Sequence, residues 1–159
     1  MRKILYILIA VFVLTVLGAT VLASEEGDAV NFCKKYIVAA NSYSPEILTF
    51  YAPDAKIIRQ VIKPDGTPVD INTDAETYIK QLKLSQRMAK LRKYKNTYTN
   101  IKSEKVKNGY KISSLRQPSG ETYKLKTYMI VQKQPDGKWL IVEEFMQTKV
   151  QTFLKYAKK

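Results

Sequence analysis

The chain has 159 residues, room for one ordinary domain. Its 27 lysines and arginines outweigh 14 aspartates and glutamates, giving a formal charge of +13, while 45% apolar and 26% charged residues are ordinary globular proportions. Wholesale disorder, a collagen-like chain and a polytopic membrane protein are excluded. So are a disulfide framework, histidine and cysteine zinc sites, Ser-His and Cys-His nucleophile pairs and a histidine general base, because there is one cysteine and no histidine.

Arg2 and Lys3 precede an unbroken apolar run, Ile4 to Val13, and only Thr15, Gly18 and Thr20 interrupt apolar character up to Ala23. Val21-Leu22-Ala23 sets small or modest side chains before Ser24-Glu25-Glu26. This is the layout of a secretory signal peptide over residues 1–23, cleaved near Ala23. The alternative is an uncleaved anchor in the inner membrane, since Ile4 to Ala23 can just span a bilayer. Either way residues 24–159 are expected outside the cytoplasmic membrane, periplasmic or secreted. They hold 25 basic and 14 acidic side chains. Such a protein is drawn to anionic membranes or envelope polymers, and nucleic acid is disfavoured as a partner in that compartment.

Asp28 to Asn41 reads as a helix with Ala29, Phe32, Cys33, Tyr36, Ile37 and Ala40 on one face, Val38 being the exception. Cys33 is expected as a small buried hydrophobe. Ser44-Pro45-Glu46 opens a short second helix that Pro53 ends. Ala55 to Ile62 is a β-branched strand, and Pro64 to Pro68 is a turn. Thr73 and Glu76 form a capping box for a helix running to about Lys90, with Tyr78, Ile79, Leu82, Ser85 and Ala89 on its buried face and Lys80, Lys83, Arg87 and Lys90 as a basic stripe. Strands follow: Arg92 to Lys107, an Asn108-Gly109 turn, Tyr110 to Arg116, Glu121 to Lys133, a Pro135-Asp136-Gly137 turn, and Trp139 to Thr148. Val150 to Tyr156 is a short apolar tail. Helices segregated from antiparallel strands mean α+β, with N-terminal helices packed on one face of a strongly curved sheet.

This element order resembles the nuclear transport factor 2-like superfamily, whose ketosteroid isomerase-like and polyketide cyclase-like members share a cone-shaped α+β fold. The resemblance rests on Phe50-Tyr51-Ala52-Pro53-Asp54-Ala55 at the entry to the first strand, the helix after Thr73, the long strands, and Asp136-Gly137-Lys138-Trp139-Leu140-Ile141, which is similar to the family's Gly-x-Trp-x-Ile strand opening. It covers residues 28–148 and implies one domain over 24–159 with a pocket between the helices and the concave sheet. The family includes enzymes, transport factors and binding domains, so fold does not give function.

Pro-Asp-Gly favours a three-residue hairpin loop, pairing Gln134 with Lys138 and Met129 with Glu143. Tyr123, Met129, Trp139, Ile141, Glu143 and Phe145 then share the concave face, and with Tyr36 and Tyr51 they supply the expected pocket walls. Glu143 is the misfit, a carboxylate either paired or raised in pKa. A two-residue Asp-Gly loop would exchange it with Glu144. Glu143, with Tyr123 or another pocket tyrosine as donor, is the candidate acid-base or ligand-binding group. Asp54 reads as a turn acid, and no metal or cofactor site is expected.

From Thr77 to Ser103 the chain holds Lys80, Lys83, Arg87, Lys90, Arg92, Lys93, Lys95 and Lys102 without one acid. These form the expected anionic-surface site. Tyr128, Ile130, Leu140, Val142 and Met146 are expected on the outer sheet face, enough apolar surface for a homodimer. The leading expectation is an exported, non-enzymatic binding domain with an apolar pocket for a small amphipathic molecule or lipid and a basic docking face. The alternatives are a small isomerase- or hydrolase-type enzyme using the pocket carboxylate, and a membrane-anchored subunit of an envelope assembly.

Overall fold

The computed structural model describes residues 24–157. The expected signal peptide or anchor over residues 1–23 lies outside them. Among the described residues no helix is long and apolar enough to cross a membrane.

Helix α1 covers residues 24–41. It closes on Tyr43 in the left-handed region (φ 58°), which lets the Ser44 amide return to the Ala39 carbonyl at 2.9 Å. A 3-10 helix, Pro45–Thr49, starts on the Ser44 hydroxyl, which accepts from the Glu46 amide. Strand β1 (Tyr51–Ile62) turns into β2 (Pro68–Asp74), and helix α2 (Ala75–Leu91) follows. Its cap is Asp74, accepting from the Thr77 amide at 2.8 Å, and not the expected Thr73. β2 continues through Asp74, which displaces the helix start by one residue, and Glu76 pairs with Lys80 instead of closing a capping box.

The meander comprises β3 (Asn96–Val106), β4 (Gly109–Pro118), β5 (Leu125–Lys133) and β6 (Trp139–Thr148), and a second 3-10 helix, Gln151–Tyr156, ends it. One six-stranded sheet results, ordered β2-β1-β6-β5-β4-β3. All pairs are antiparallel except β1 with β6, which are parallel. The architecture is the expected α+β, helices on a curled sheet. Three irregularities bend it, in β1 between Tyr51 and Lys56, in β3 around Asn100 (φ 56°), and in the β5–β6 ladder. α1 is tied to the sheet's far edge by two hydrogen bonds between Asn41 and the Asn96 backbone, both 2.9 Å.

The core lies between the helices and the concave face and is rich in aromatic rings. Tyr36 meets Phe50 and Tyr51 edge-on at 5.6 and 6.0 Å, and Tyr51 meets Tyr78 at 5.3 Å. Such pairs add about 0.5–1.5 kcal/mol each beyond the area they bury. Cys33 is buried among them, and burial pushes its thiol up to about 11, so it is the inert hydrophobe expected.

The β3–β4 turn is Lys107-Asn108, one residue earlier than expected, because Val106 pairs with Gly109. Gly109 opens β4 where a Cβ would lie 2.1 Å from the Val131 carbonyl oxygen on β5. Glycine is required there by the neighbouring backbone. Gly109→Ala should cost about 1–3 kcal/mol, the usual penalty for overpacking, and lower the urea midpoint. An unchanged midpoint would show that the ladder yields freely at this point.

Candidate functional site

The β5–β6 loop forms as its residues dictate. The Gln134 amide donates to the Lys138 carbonyl at 2.7 Å, and Gly137 takes the left-handed conformation (φ 84°). Lys133, Gln132 and Val131 then oppose Trp139, Leu140 and Ile141. The next pair is Ile130 with Glu143, so Val142 is an extra residue in β6. This bulge reverses the faces beyond it. Met129 opposes Glu144, which turns into the core with 2% of its surface exposed.

The expectation for Glu143 is thereby corrected. It lies on the convex face and accepts from the Tyr128 hydroxyl at 2.7 Å. Phe145 goes with it, stacked on Tyr128 at 5.0 Å, and is no pocket wall. Tyr123 precedes β5 and packs under the Lys149 ammonium, 4.2 Å from its ring, so it neither joins the concave face nor serves as a donor to the buried acid. Met146 shares the inward face of Glu144 rather than the outer one, and Leu140 and Val142 pack partly against the core, which leaves Tyr128, Ile130 and Phe145 as the convex apolar surface. Tyr36, Tyr51, Met129 and Ile141 face inward as expected, but all four are buried in a packed core. Trp139 is partly buried against Tyr110 at 6.1 Å. Asp54 is exposed in the irregular stretch of β1.

Glu144 is enclosed by tyrosines from three elements. Tyr51 of β1 donates to Oε2 at 2.9 Å and Tyr36 of α1 to Oε1 at 3.2 Å, with 2.8 Å between the two hydroxyl oxygens. Tyr78 of α2 closes the enclosure, its ring edge-on to Tyr51 at 5.3 Å. The Arg59 guanidinium lies over the Tyr78 ring at 4.7 Å and adds a favourable charge. Burial still dominates and raises the pKa of Glu144 above the ordinary carboxyl range. Burial and the Glu144 charge likewise lift Tyr36 and Tyr51 well above the usual phenol value and Tyr78 to about 12, so all three stay protonated.

The second feature is the outward side of α2. Ala75 and Tyr78 are buried, and Ile79, Leu82 and Ala89 are partly buried, but Ser85 is exposed. Leu84 (79% exposed), Met88 (49%) and Leu91 (68%) form an apolar stripe on the solvent side that the expected buried face does not include. Lys80, Lys83, Arg87 and Lys90 run beside it, all exposed, as are Arg92, Lys93, Lys95 and Lys102 beyond the helix. No group of acids and cysteines among the described residues could hold a metal ion.

No protein-family model matches this chain, and no curated protein matches it. Solved structures do. A nuclear transport factor 2-like protein of unknown function from Pseudomonas putida superposes with a TM-score of 0.61 at 10% identity, over 79% of this chain and 87% of that one. A nuclear transport factor 2-like protein with a cystatin-like fold from Novosphingobium aromaticivorans gives 0.57 at 12%, over 84% and 88%. A candidate ketosteroid isomerase from Shewanella frigidimarina gives 0.55 at 19%, over 74% and 93%. The chain therefore has the nuclear transport factor 2-like fold.

The raised Glu144 pKa has a thermodynamic sign. The folded chain holds this proton more tightly than the unfolded chain. The stability it contributes is full below the ordinary carboxyl range and falls as pH rises from there to the raised folded value. Glu144→Gln lacks that slope. In urea denaturation from about pH 4 to about pH 8, the difference between the two proteins should move in the variant's favour as pH rises. A pH-independent difference would contradict preferential protonation in the fold.

Proposed function

We propose that the chain is an exported, non-enzymatic binding domain that docks on an anionic lipid surface through α2. The observation that carries this reading is the exposed stripe Leu84, Met88 and Leu91 running beside Lys80, Lys83, Arg87 and Lys90 on one helix. A helix with an apolar side and a lysine-rich side lies in a bilayer interface, its apolar residues in the head-group boundary and its cations on anionic lipid. Near such a surface each lysine or arginine contributes about 1 kcal/mol. Export rests on Arg2, Lys3 and the apolar run to Ala23, and it places this helix where envelope lipids are.

A second reading, a small isomerase- or hydrolase-type enzyme, is supported by Glu144, which takes the place expected for Glu143. A carboxyl of raised pKa held by two tyrosine donors is the equipment of acid-base catalysis. Against it stands the packing, since both carboxylate oxygens are already occupied by tyrosines and the residue is enclosed. The third reading keeps residues 1–23 as an anchor and makes the domain a subunit of an envelope assembly. Fractionation with membranes that survives high salt would support it.

The test is co-sedimentation with phosphatidylglycerol-containing and pure phosphatidylcholine vesicles. Binding should need the anionic lipid and weaken with salt. Lys83→Gln, Arg87→Gln and Lys90→Gln together should weaken it by about 100-fold and flatten its salt dependence. Leu84→Ser with Leu91→Ser should weaken it while leaving the salt slope in place. Vesicle binding unchanged by both sets of substitutions would overturn the proposal.

A further inference from the structure

Among the described residues an open groove lies outside the packed core. It measures roughly 1000 Å³ and runs between the flank of α1, the first 3-10 helix and the β5–β6 hairpin. Its apolar lining includes Phe32, Val38, Phe50, Trp139 and Leu140. Phe32 meets the buried Phe50 ring at 5.1 Å, so the aromatic core backs this wall. Val38, the residue that breaks the amphipathic pattern of α1, is 66% exposed and belongs to this lining. Across the groove from Val38 stands the hairpin that carries the partly buried Trp139.

Charge narrows what that is. Lys34 and Lys35 stand on the α1 wall and Lys133 and Lys138 on the hairpin wall, all exposed. Asp28 and Glu46 are the acids of the lining, and Lys138 already pairs with Asp136 at 3.2 Å. Cations on both walls above an apolar floor complement a negative head on a hydrocarbon chain. We infer that the groove binds a single-chain anionic amphiphile, of the class of a long-chain fatty acid, with the chain on Phe32, Val38 and Trp139 and the head among the four lysines. This goes beyond docking through α2, uses different residues, and can fail or hold independently of it.

Trp139 is the chain's only tryptophan, so the groove carries its own reporter. The probe is cis-parinarate, whose absorption overlaps tryptophan emission, titrated into the intact protein below the concentration at which it aggregates. Energy transfer from Trp139 should saturate, and dodecanoate should displace the probe more effectively than dodecanol. Val38→Glu should weaken binding by about tenfold or more, since it sets a charge against the chain, and Val38 is exposed enough that folding does not depend on it. Lys35→Glu should weaken parinarate binding and remove the preference for dodecanoate over dodecanol. The α2 variant Lys83→Gln/Arg87→Gln/Lys90→Gln should bind parinarate normally. Absence of saturable transfer, indifference to Val38→Glu, or equal displacement by dodecanol would overturn the inference.

Discussion

A carboxyl group sealed in an aromatic core must be satisfied there, and Glu144 sets that demand for the whole fold. Its donors Tyr36 and Tyr51 come from α1 and β1, and Tyr78 of α2 packs edge-on against Tyr51, so the enclosure is complete only when both helices are seated on the sheet. Moving α1 aside would leave the buried acid short of a donor, which costs more than the hydrogen bond itself contributes. The network thus couples the docking of the helices to the curvature of the sheet. Its rings also fill the space that an open cone would leave, which is why the inward-facing Tyr36, Tyr51, Met129 and Ile141 are walls of a core and not of a cavity.

Which glutamate meets this demand is decided by one residue, and it shows where the sequence stops being legible. The α+β order, the two helices, the Pro135-Asp136-Gly137 loop and the strand from Trp139 to Thr148 all follow from turn chemistry and periodicity, because these act over a few residues. The extra residue Val142 does not. A valine suits a regular strand as well as a bulge, and Glu143 and Glu144 are the same residue type, so local pattern is equally content with either facing inward. The bulge is stabilised by what lies across the sheet and above it, tyrosines up to 108 positions away in the chain. The edge strand Pro68–Asp74 escapes for a related reason. Only Ile71 along it is buried, so it carries no alternation to read.

The basic run from Lys80 to Lys102 was legible as charge, but its meaning was not. Periodicity assigns α2 a core side and a cationic stripe, and both exist. What periodicity omits is that Leu84, Met88 and Leu91 fall on neither, since apolar residues scattered along a helix are ordinarily credited to its core. Only the placement of α2 on β1, β2 and the first 3-10 helix shows which apolar residues find partners. Val38 on α1 is the same case. Both exceptions to the burial pattern sit beside lysines, and that shared chemistry connects two surfaces that have no residue in common.

Charge also decides between the occupants open to the α2 stripe. Covering Leu84, Met88 and Leu91 with a second copy of the same helix is the simplest way to bury them. A two-fold contact would set Lys80, Lys83, Arg87 and Lys90 of one protomer against the same four in its partner. Unlike the apolar gain, which is fixed by area, that repulsion grows as water is expelled from between the helices. Glu76 is already paired to Lys80, and residues 77–103 contain no other acid to offset the rest. A surface whose negative charges are mobile meets the same stripe at no such cost, because anionic lipids can gather under the lysines while the leucines enter the head-group boundary. The arrangement on α2 therefore favours a lipid surface over self-association, and it does so through the very residues that give the chain its positive charge.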